Sequence, residues 1–544
     1  MGDDKRKPHM NPAQSETPGM PGNSMRENRE TPQASGSSTP DRLEKATSYT
    51  TSMHAGGESD ERVVPAKRPN NGEQSLAEGV EGSRSTKGNA EEAYTHRTQG
   101  RERVSQGLEG VREAASRDKK QKFTALLPHV TTGLLRDSYY ALKRQAAPGV
   151  DGVTWRQYED GVEERLKDLH DRIHRGAYRA QPSRRTYIAK EDGRQRPLGI
   201  AALEDKIVQQ AVVTVLNQIY EEDFLGFSYG FRPGRSQHDA LDALNVGLRR
   251  RKVGWVLDLD VRGFFDNVSH EWLVQFMEHR IADRRIIRLI QKWLKAGVSE
   301  EGEWRETTVG TPQGAVISPL LANIYLHYVF DLWVQQWRRK QAHGDGMVVR
   351  YADDAVLAFQ SRQEAEAFLE QLRERMRKFG LELHPEKTRL IEFGRFAEEH
   401  RQRRGEGKPE TFNFLGFTHI CGKTRKGGWF TVRRQTVKKR LRSKLQAIRQ
   451  ELRQRWHEPI AATGDWLRSV VQGYFNYHAI PGNFVALRTF RREVARAWLA
   501  ALRRRSQRHR LPWERFGSIL DRYLPLPRIL HPQPGARFDA KYSR

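Results

Sequence analysis

Apolar positions are scarce and aperiodic over residues 1–122, which are rich in Gly, Ser, Pro, Asn, Glu, Lys and Arg, and become frequent and patterned from Phe123 onward. A segment of the first kind buries too little surface to offset its ordering entropy, so it reads as a disordered extension whose one candidate element is a short helix around 108–115. Within the patterned region, residues 205–216 carry apolar side chains at 207, 208, 211, 212, 215 and 216, the spacing of a helix. Residues 316–326 are apolar enough throughout for a buried helix. Ala365, Phe368, Leu369, Leu372, Met376 and Phe379 keep helical spacing between a Ser361/Glu364 capping box and a terminating Gly380. Val437, Leu441, Leu445, Ile448 and Leu452 form another stripe, and Trp466, Leu467, Val470, Val471, Tyr474 and Phe475 a further one.

Two stretches have the period of a strand instead. Trp255, Leu257, Leu259 and Val261 share one face, and Val256, Asp258 and Asp260 the other. Met347-Val348-Val349-Arg350 and Ala355-Val356-Leu357-Ala358-Phe359 flank Asp353-Asp354 as two strands around a hairpin turn. Acids on a half-buried face demand a partner, because an uncompensated buried carboxylate costs several kcal/mol, and a divalent cation supplies one if Asp260 approaches Asp353 and Asp354. An Asp-rich solvated turn is the alternative. Carboxylates able to hold two Mg²⁺ ions about 3.5–4 Å apart are what a polymerase needs.

Composition narrows the partner. A 544-residue chain with net charge +26 and pI near 10.1 calls for a polyanion, nucleic acid first. No run of eighteen apolar residues exists, the start Met1-Gly2-Asp3-Asp4 lacks a signal-peptide core, and Arg6 breaks the myristoylation pattern, so a soluble, cytoplasmic protein is expected. The single cysteine, Cys421, excludes a disulfide framework and a Cys-paired zinc site.

The ordered blocks Ala147-Pro148-Gly149-Val150-Asp151-Gly152, Arg196-Pro197-Leu198-Gly199-Ile200, the 227–236 run Phe-Ser-Tyr-Gly-Phe-Arg-Pro-Gly-Arg-Ser, Asp260-Val261-Arg262-Gly263-Phe264-Phe265-Asp266, Gly310-Thr311-Pro312-Gln313-Gly314, Tyr351-Ala352-Asp353-Asp354 and Phe412-Asn413-Phe414-Leu415-Gly416-Phe417 resemble the bacterial group II intron-encoded reverse transcriptases, or maturases. The resemblance runs from about Phe123 to the C-terminus. It implies an α/β right-hand polymerase fold: fingers at 123–250, a palm with an antiparallel sheet and packed helices at 251–395, a connection at 396–425, and a helical thumb or maturase region at 426–544. It further implies Asp260, Asp353 and Asp354 as catalytic Mg²⁺ ligands, Phe265 beneath the incoming sugar excluding a 2′ hydroxyl, and Lys190, Arg196 and Gln313 at the nucleotide, with Lys387 a basic residue near the site. Read alone, Phe265 is a core aromatic, Lys387 a loop lysine, and the Gly310–Gly314 segment a turn.

The expected activity is RNA-directed DNA synthesis from a primer with dNTPs, joined to binding of intron RNA that promotes splicing and mobility. Arg433, Arg434, Lys438, Lys439 and Arg442 open a basic run to Arg455 on apolar-striped helices and are the candidate RNA contacts, with a second basic run from Arg503 to Arg510. Trp429 and Phe430 suit base stacking, or else close a small hairpin at Gly427-Gly428. A domesticated reverse transcriptase of retrons, diversity-generating elements or CRISPR systems, or mainly an RNA-binding splicing cofactor, is the alternative. Many relatives end in an endonuclease module with cysteine pairs; none is expected here.

Overall fold

The computed structural model describes residues 98–189, 195–311, 313–505 and 511–542. Their strands, in chain order, are β1 (Ser183–Ala189), β2 (Gln195–Ile200), β3 (Trp255–Leu259), β4 (Val298–Glu300), β5 (Glu303–Arg305), β6 (Gly346–Tyr351), β7 (Asp354–Phe359), β8 (Arg389–Glu392), β9 (Phe412–Phe414), β10 (Phe417–Lys423) and β11 (Phe430–Thr436). The acidic stretches lie in one antiparallel sheet of order β6-β7-β3-β8, the palm sheet. A second sheet runs β2-β1-β4-β5, joining two strands from the range expected for the fingers to two from the range expected for the palm, and a third runs β11-β10-β9.

The palm sheet is buried on both faces, not the one that alternation in β3 suggests. Leu257, Leu259, Leu357 and Phe359 join the large core that extends into the fingers, while Val256, Val349, Val356 and Ala358 join a second core with Leu241, Leu244, Phe412 and Phe417. The second cover comes from the Gln237–Arg250 helix and the 412–417 strands, remote in sequence and invisible to a local pattern.

Helices follow their stripes, with two instructive departures. The Leu203–Asp223 and Ser318–Leu326 helices are buried almost all round, as their dense apolar sequences require. The Arg362–Lys378 helix buries Ala365, Phe368, Leu372 and Met376 beneath the palm sheet and ends before Gly380 at φ 72°. Its expected capping box does not form. Ser361 makes no side-chain cap, because the Glu364 carboxylate instead accepts from the His343 N–H at 2.8 Å. The packed region also begins earlier than Phe123: a Thr98–Arg117 helix buries Leu108, Val111 and Ala115, and Arg112 pairs with Glu222 at 2.8 Å on the Leu203–Asp223 helix. Residues 1–97 lie outside the described residues.

Past the palm, the Lys438–Gln454, Ile460–His478, Phe484–Arg503 and Trp513–Tyr523 helices share a third core built on Leu445, Ile448, Leu467, Val471, Phe490 and Trp498. The boundary expected at 425 falls inside the β10–β11 hairpin, which is one unit, with Lys423 paired to Phe430. Among the described residues, no helix is long and apolar enough to cross a membrane.

The most buried large cation in the palm is Arg350, 1 % exposed at the end of β6. Its Nε and Nη2 fork onto Asp331 at 2.7 and 2.6 Å, Nη2 also reaches Ser228 Oγ at 2.7 Å, and Nη1 reaches Asn323 Oδ1 and the Ala352 carbonyl, each at 3.0 Å. Replacing Arg350 with Met strands a buried carboxylate, so R350M should lose about 3–5 kcal/mol of stability in urea unfolding. The double variant R350M/D331L should recover much of that loss.

Candidate active site

The turn that carries Asp353 is held from below. Ala352 sits at φ 56°, left-handed backbone that a non-glycine residue adopts only under constraint, and the Arg350 guanidinium grips its carbonyl. The 227–230 segment supplies the floor: the Tyr229 N–H donates to the Arg350 carbonyl at 2.8 Å, and a Cβ on Gly230 would come within 2.2 Å of the Ala352 nitrogen. Only glycine permits that approach.

Register then brings the acids together. Leu259 pairs with Ala355 and Tyr351 with Asp354, so one step beyond the β3–β7 ladder Asp260 arrives beside Asp354. Asp260 is further fixed by the His384 N–H, which donates to its carbonyl at 2.8 Å, and its carboxylate receives the Lys387 ammonium at 3.1 Å. Burial, the largest effect, raises the pKa of Asp353 above the usual carboxylate range; the Asp260 charge adds to it, while Arg196 and Arg350 pull the other way. Asp354 stands exposed at the start of β7. Among the described residues, no three Asp, Glu, His or Cys side chains are converged as a closed metal cage.

Arg196 lies half-buried on β2, near enough to act on Asp353. Gln313 sits beside it in the fold: its carbonyl accepts from the Gly199 N–H at 2.6 Å, and Gly314, at φ 104°, presses against Leu198 and Gly199. The same loop touches Phe265, whose carbonyl accepts from the Thr311 N–H at 2.8 Å; its ring is half-buried, edge-on to Phe264. Arg196, the 260–265 stretch with Asp260 and Phe265, the 310–314 loop and Asp353 therefore gather from four separate stretches. Lys190 and Pro312 lie outside the described residues.

Residues 188–419 match the family described as reverse transcriptase (RNA-dependent DNA polymerase). The chain is 37% identical over 257 residues to protein YkfC of Escherichia coli K12, covering 42% of this chain and 67% of YkfC. It is 36% identical over 239 residues to the group II intron-encoded protein LtrA of Lactococcus lactis, covering 42% of this chain but only 39% of LtrA. A 91 kDa protein in a cob intron of Schizosaccharomyces pombe is 43% identical over 146 residues, 27% of this chain and 18% of that protein. The chain belongs to the group II intron reverse transcriptase and maturase family.

The basic candidates of this reverse transcriptase divide by exposure. Lys438, Lys439 and Arg442 are exposed on the first thumb helix, and Arg433 is exposed on β11. Arg434 corrects the expectation. It is 2 % exposed and pairs with Asp242 at 3.0 Å, because β11 alternates and turns this residue toward the Gln237–Arg250 helix. Both Arg433 and Arg434 lie on a strand, not on the helix that their charge run suggests. Residues 506–510 of the second basic run lie outside the described residues.

Arg350 is the residue that supports the site without a sequence signal for that role, while Asp258, named as an acid on the half-buried face, faces Arg389. In the sequence Arg350 is only a lone arginine ending an apolar strand beside an acidic turn. Burial pushes Asp258 up to about 6, opposed by Arg389 at 3.7 Å and assisted by Asp260. A raised folded-state pKa means that ionisation opposes folding, so the penalty is absent near pH 4 and complete above about pH 6. Asp258→Asn should therefore match the wild type in stability near pH 4 and exceed it at pH 7 by up to roughly 2–3 kcal/mol, measured by urea titration at each pH.

Proposed function

We propose that this chain copies RNA into DNA by a two-metal mechanism and also binds intron RNA as a maturase. The observation that carries the first part is the meeting of Asp260 with the Asp353 turn, opposite Arg196 and beside the 310–314 loop. The donor set fits hard divalent cations: oxygen ligands only, with an Asp353 carboxylate that the protein alone leaves under-compensated. Asp260 and Asp353 would hold two Mg²⁺ ions, with Asp354 completing the charge balance; the ions would supply Lewis acidity at the primer 3′ hydroxyl and at the departing pyrophosphate.

The remaining work falls to the chain. Lys387 is half exposed, so it can leave Asp260 when a stronger cation arrives. Arg196 offers a planar fork to phosphate oxygens, and Lys190 a point charge. Phe265 would lie under the sugar and leave no room for a 2′ hydroxyl, with Gln313 placed at the nucleotide by its backbone tie to Gly199. Catalysis of this kind is positioning and electrostatics, so neutralising one ligand is costly to rate and cheap to fold.

In primer extension on poly(rA)·oligo(dT) with Mg²⁺ and dTTP, D260N and D353N should each fall by at least about 10²–10³-fold. The thermal midpoint of D353N should hold or rise, because the raised pKa marks an ionised form that opposes folding. Wild-type extension by either variant would remove the assignment. Extension also requires ionised Asp353, so its acid limb should lie above the usual carboxylate range and move to lower pH as Mg²⁺ is raised.

The maturase part rests on a different observation, the exposed cations Lys438, Lys439 and Arg442 that open the Lys438–Gln454 helix. No described carboxylate pairs with exposed Lys438, Lys439 or Arg442, while Leu445, Ile448 and Leu452 anchor the same helix in the third core. Each phosphate neutralised releases a counterion. The triple variant K438A/K439A/R442A should weaken intron RNA binding and flatten the plot of log affinity against log salt by about two to three units. An unchanged slope would remove these cations from the interface.

A further inference from the structure

The β10–β11 hairpin projects beyond its sheet. β9 pairs with β10 only at Phe417, Thr418 and His419, and from Ile420 outward the two strands pair with each other alone. Its root is packed: Val432 is buried, and its carbonyl accepts from Asn245 at 3.1 Å. Its tip carries Trp429, 75 % exposed. Phe430 and Val432 do the packing in this ribbon, so the indole is spare.

The tip is built to keep that indole in place. Gly427 and Gly428 both take left-handed backbone, at φ 83° and 62°. The Thr424 N–H donates to the Trp429 carbonyl at 2.8 Å, and the Trp429 N–H donates to Thr424 Oγ at 3.1 Å, closing the loop. A Cβ on Gly427 would lie 2.5 Å from Trp429 Nε1, so the ring lies across bare backbone, with its outer side left to solvent. Around it stand exposed Lys423, Arg425, Lys426 and Arg433; of these only Lys423 meets a described carboxylate, Glu398 at 3.4 Å.

We infer that Trp429 is a stacking platform for one unpaired RNA base, with Arg425, Lys426 and Arg433 taking the flanking phosphates. A preformed aromatic face costs little ordering entropy, every base has a π-face to offer it, and the cations match a polyanion. A duplex keeps its bases stacked within itself and has none to give. The inference deepens the RNA-binding reading above and rests on it.

The test uses full-length protein with its cleft filled by poly(rA)·oligo(dT), and two labelled probes: an RNA stem closed by an eight-uridine loop, and a blunt 20-bp RNA duplex. W429A should weaken binding of the looped RNA roughly 5- to 100-fold and leave the duplex unchanged, while W429F retains most of the affinity. Primer extension by W429A should equal the wild type, which shows the fold intact. R425A/K426A should weaken both probes. If W429A binds the looped RNA as the wild type does, or loses both probes equally, the platform is overturned and the maturase reading stands. If the wild type binds neither probe, the RNA-binding reading fails and takes this inference with it.

Discussion

Everything at the candidate active site leans on one buried guanidinium. Arg350 has five N–H donors and uses all five: two on Asp331, one on Ser228, one on Asn323 and one on the Ala352 carbonyl. Such a pair is seldom a source of stability, since desolvating both charges consumes most of what their attraction returns. Its value is in what it selects. The guanidinium can be satisfied only when the floor segment, the Ser318–Leu326 helix, the residue-331 turn and the acidic hairpin are all in place. Asp331 gets there through a π-turn, His327–Asp331, in which the helix widens by one residue; wide turns of this kind gather at functional sites. Four stretches of chain thus agree on one conformation of Ala352, and Asp353 inherits its direction.

The same constraint explains which parts of the fold were readable beforehand. Local alternation located β3, apolar β-branched runs located β6 and β7, and a dense apolar run located the Ser318–Leu326 helix, because those signals live in adjacent residues. The partnership of Asp260 with Asp353 was reached from the need of acids for a counter-charge together with the family resemblance. The register that delivers it, Leu259 against Ala355, joins residues far apart in the chain and has no local signature. Arg350 escaped notice for that reason: beside its neighbours it is only the polar end of a strand, and its partners come from residues 228, 323 and 331. Glu364 was misassigned because the competing demand, the His343 N–H, arrives from another loop. The helix expected around 108–115 is present, but its place in the packed region was hidden by polar neighbours, since Leu108, Val111 and Ala115 become a buried stripe only against the Leu203–Asp223 helix.

Charge carries the same lesson in a chain of net +26. Arg232, Arg280, Arg350 and Arg434 are all buried, and each spends its charge on an internal acid: Glu221 at 2.9 Å, Asp223 at 2.9 Å, Asp331 at 2.6 Å and Asp242 at 3.0 Å. These cations hold backbone in place and present nothing to phosphate. Net charge therefore overstates the surface available to RNA, and a run of basic residues divides into interior and exterior by strand or helix periodicity. Arg433 and Arg434 are adjacent, yet the two-residue period of β11 sends one to solvent and the other to Asp242.

Asp242 also joins the palm sheet's second cover to β11 and to the chain's last described helix. It pairs with Arg434 on β11 and with Arg537 of the Pro534–Tyr542 helix, while Lys541 of that helix reaches Asp239 one turn away at 2.6 Å. The helix bearing both aspartates, Gln237–Arg250, also covers the second face of the palm sheet. One element is therefore shared by the palm sheet, the root of the projecting hairpin and the returning C-terminal helix. A shift of β11 or of the Pro534–Tyr542 helix on the Gln237–Arg250 helix would have to break the ion pairs at buried Asp242, where an unpaired charge is expensive. That cost holds the root of the Trp429 hairpin in fixed relation to the palm sheet that carries Asp260 and Asp353, which is what a protein needs if it is to grip one RNA while copying from it.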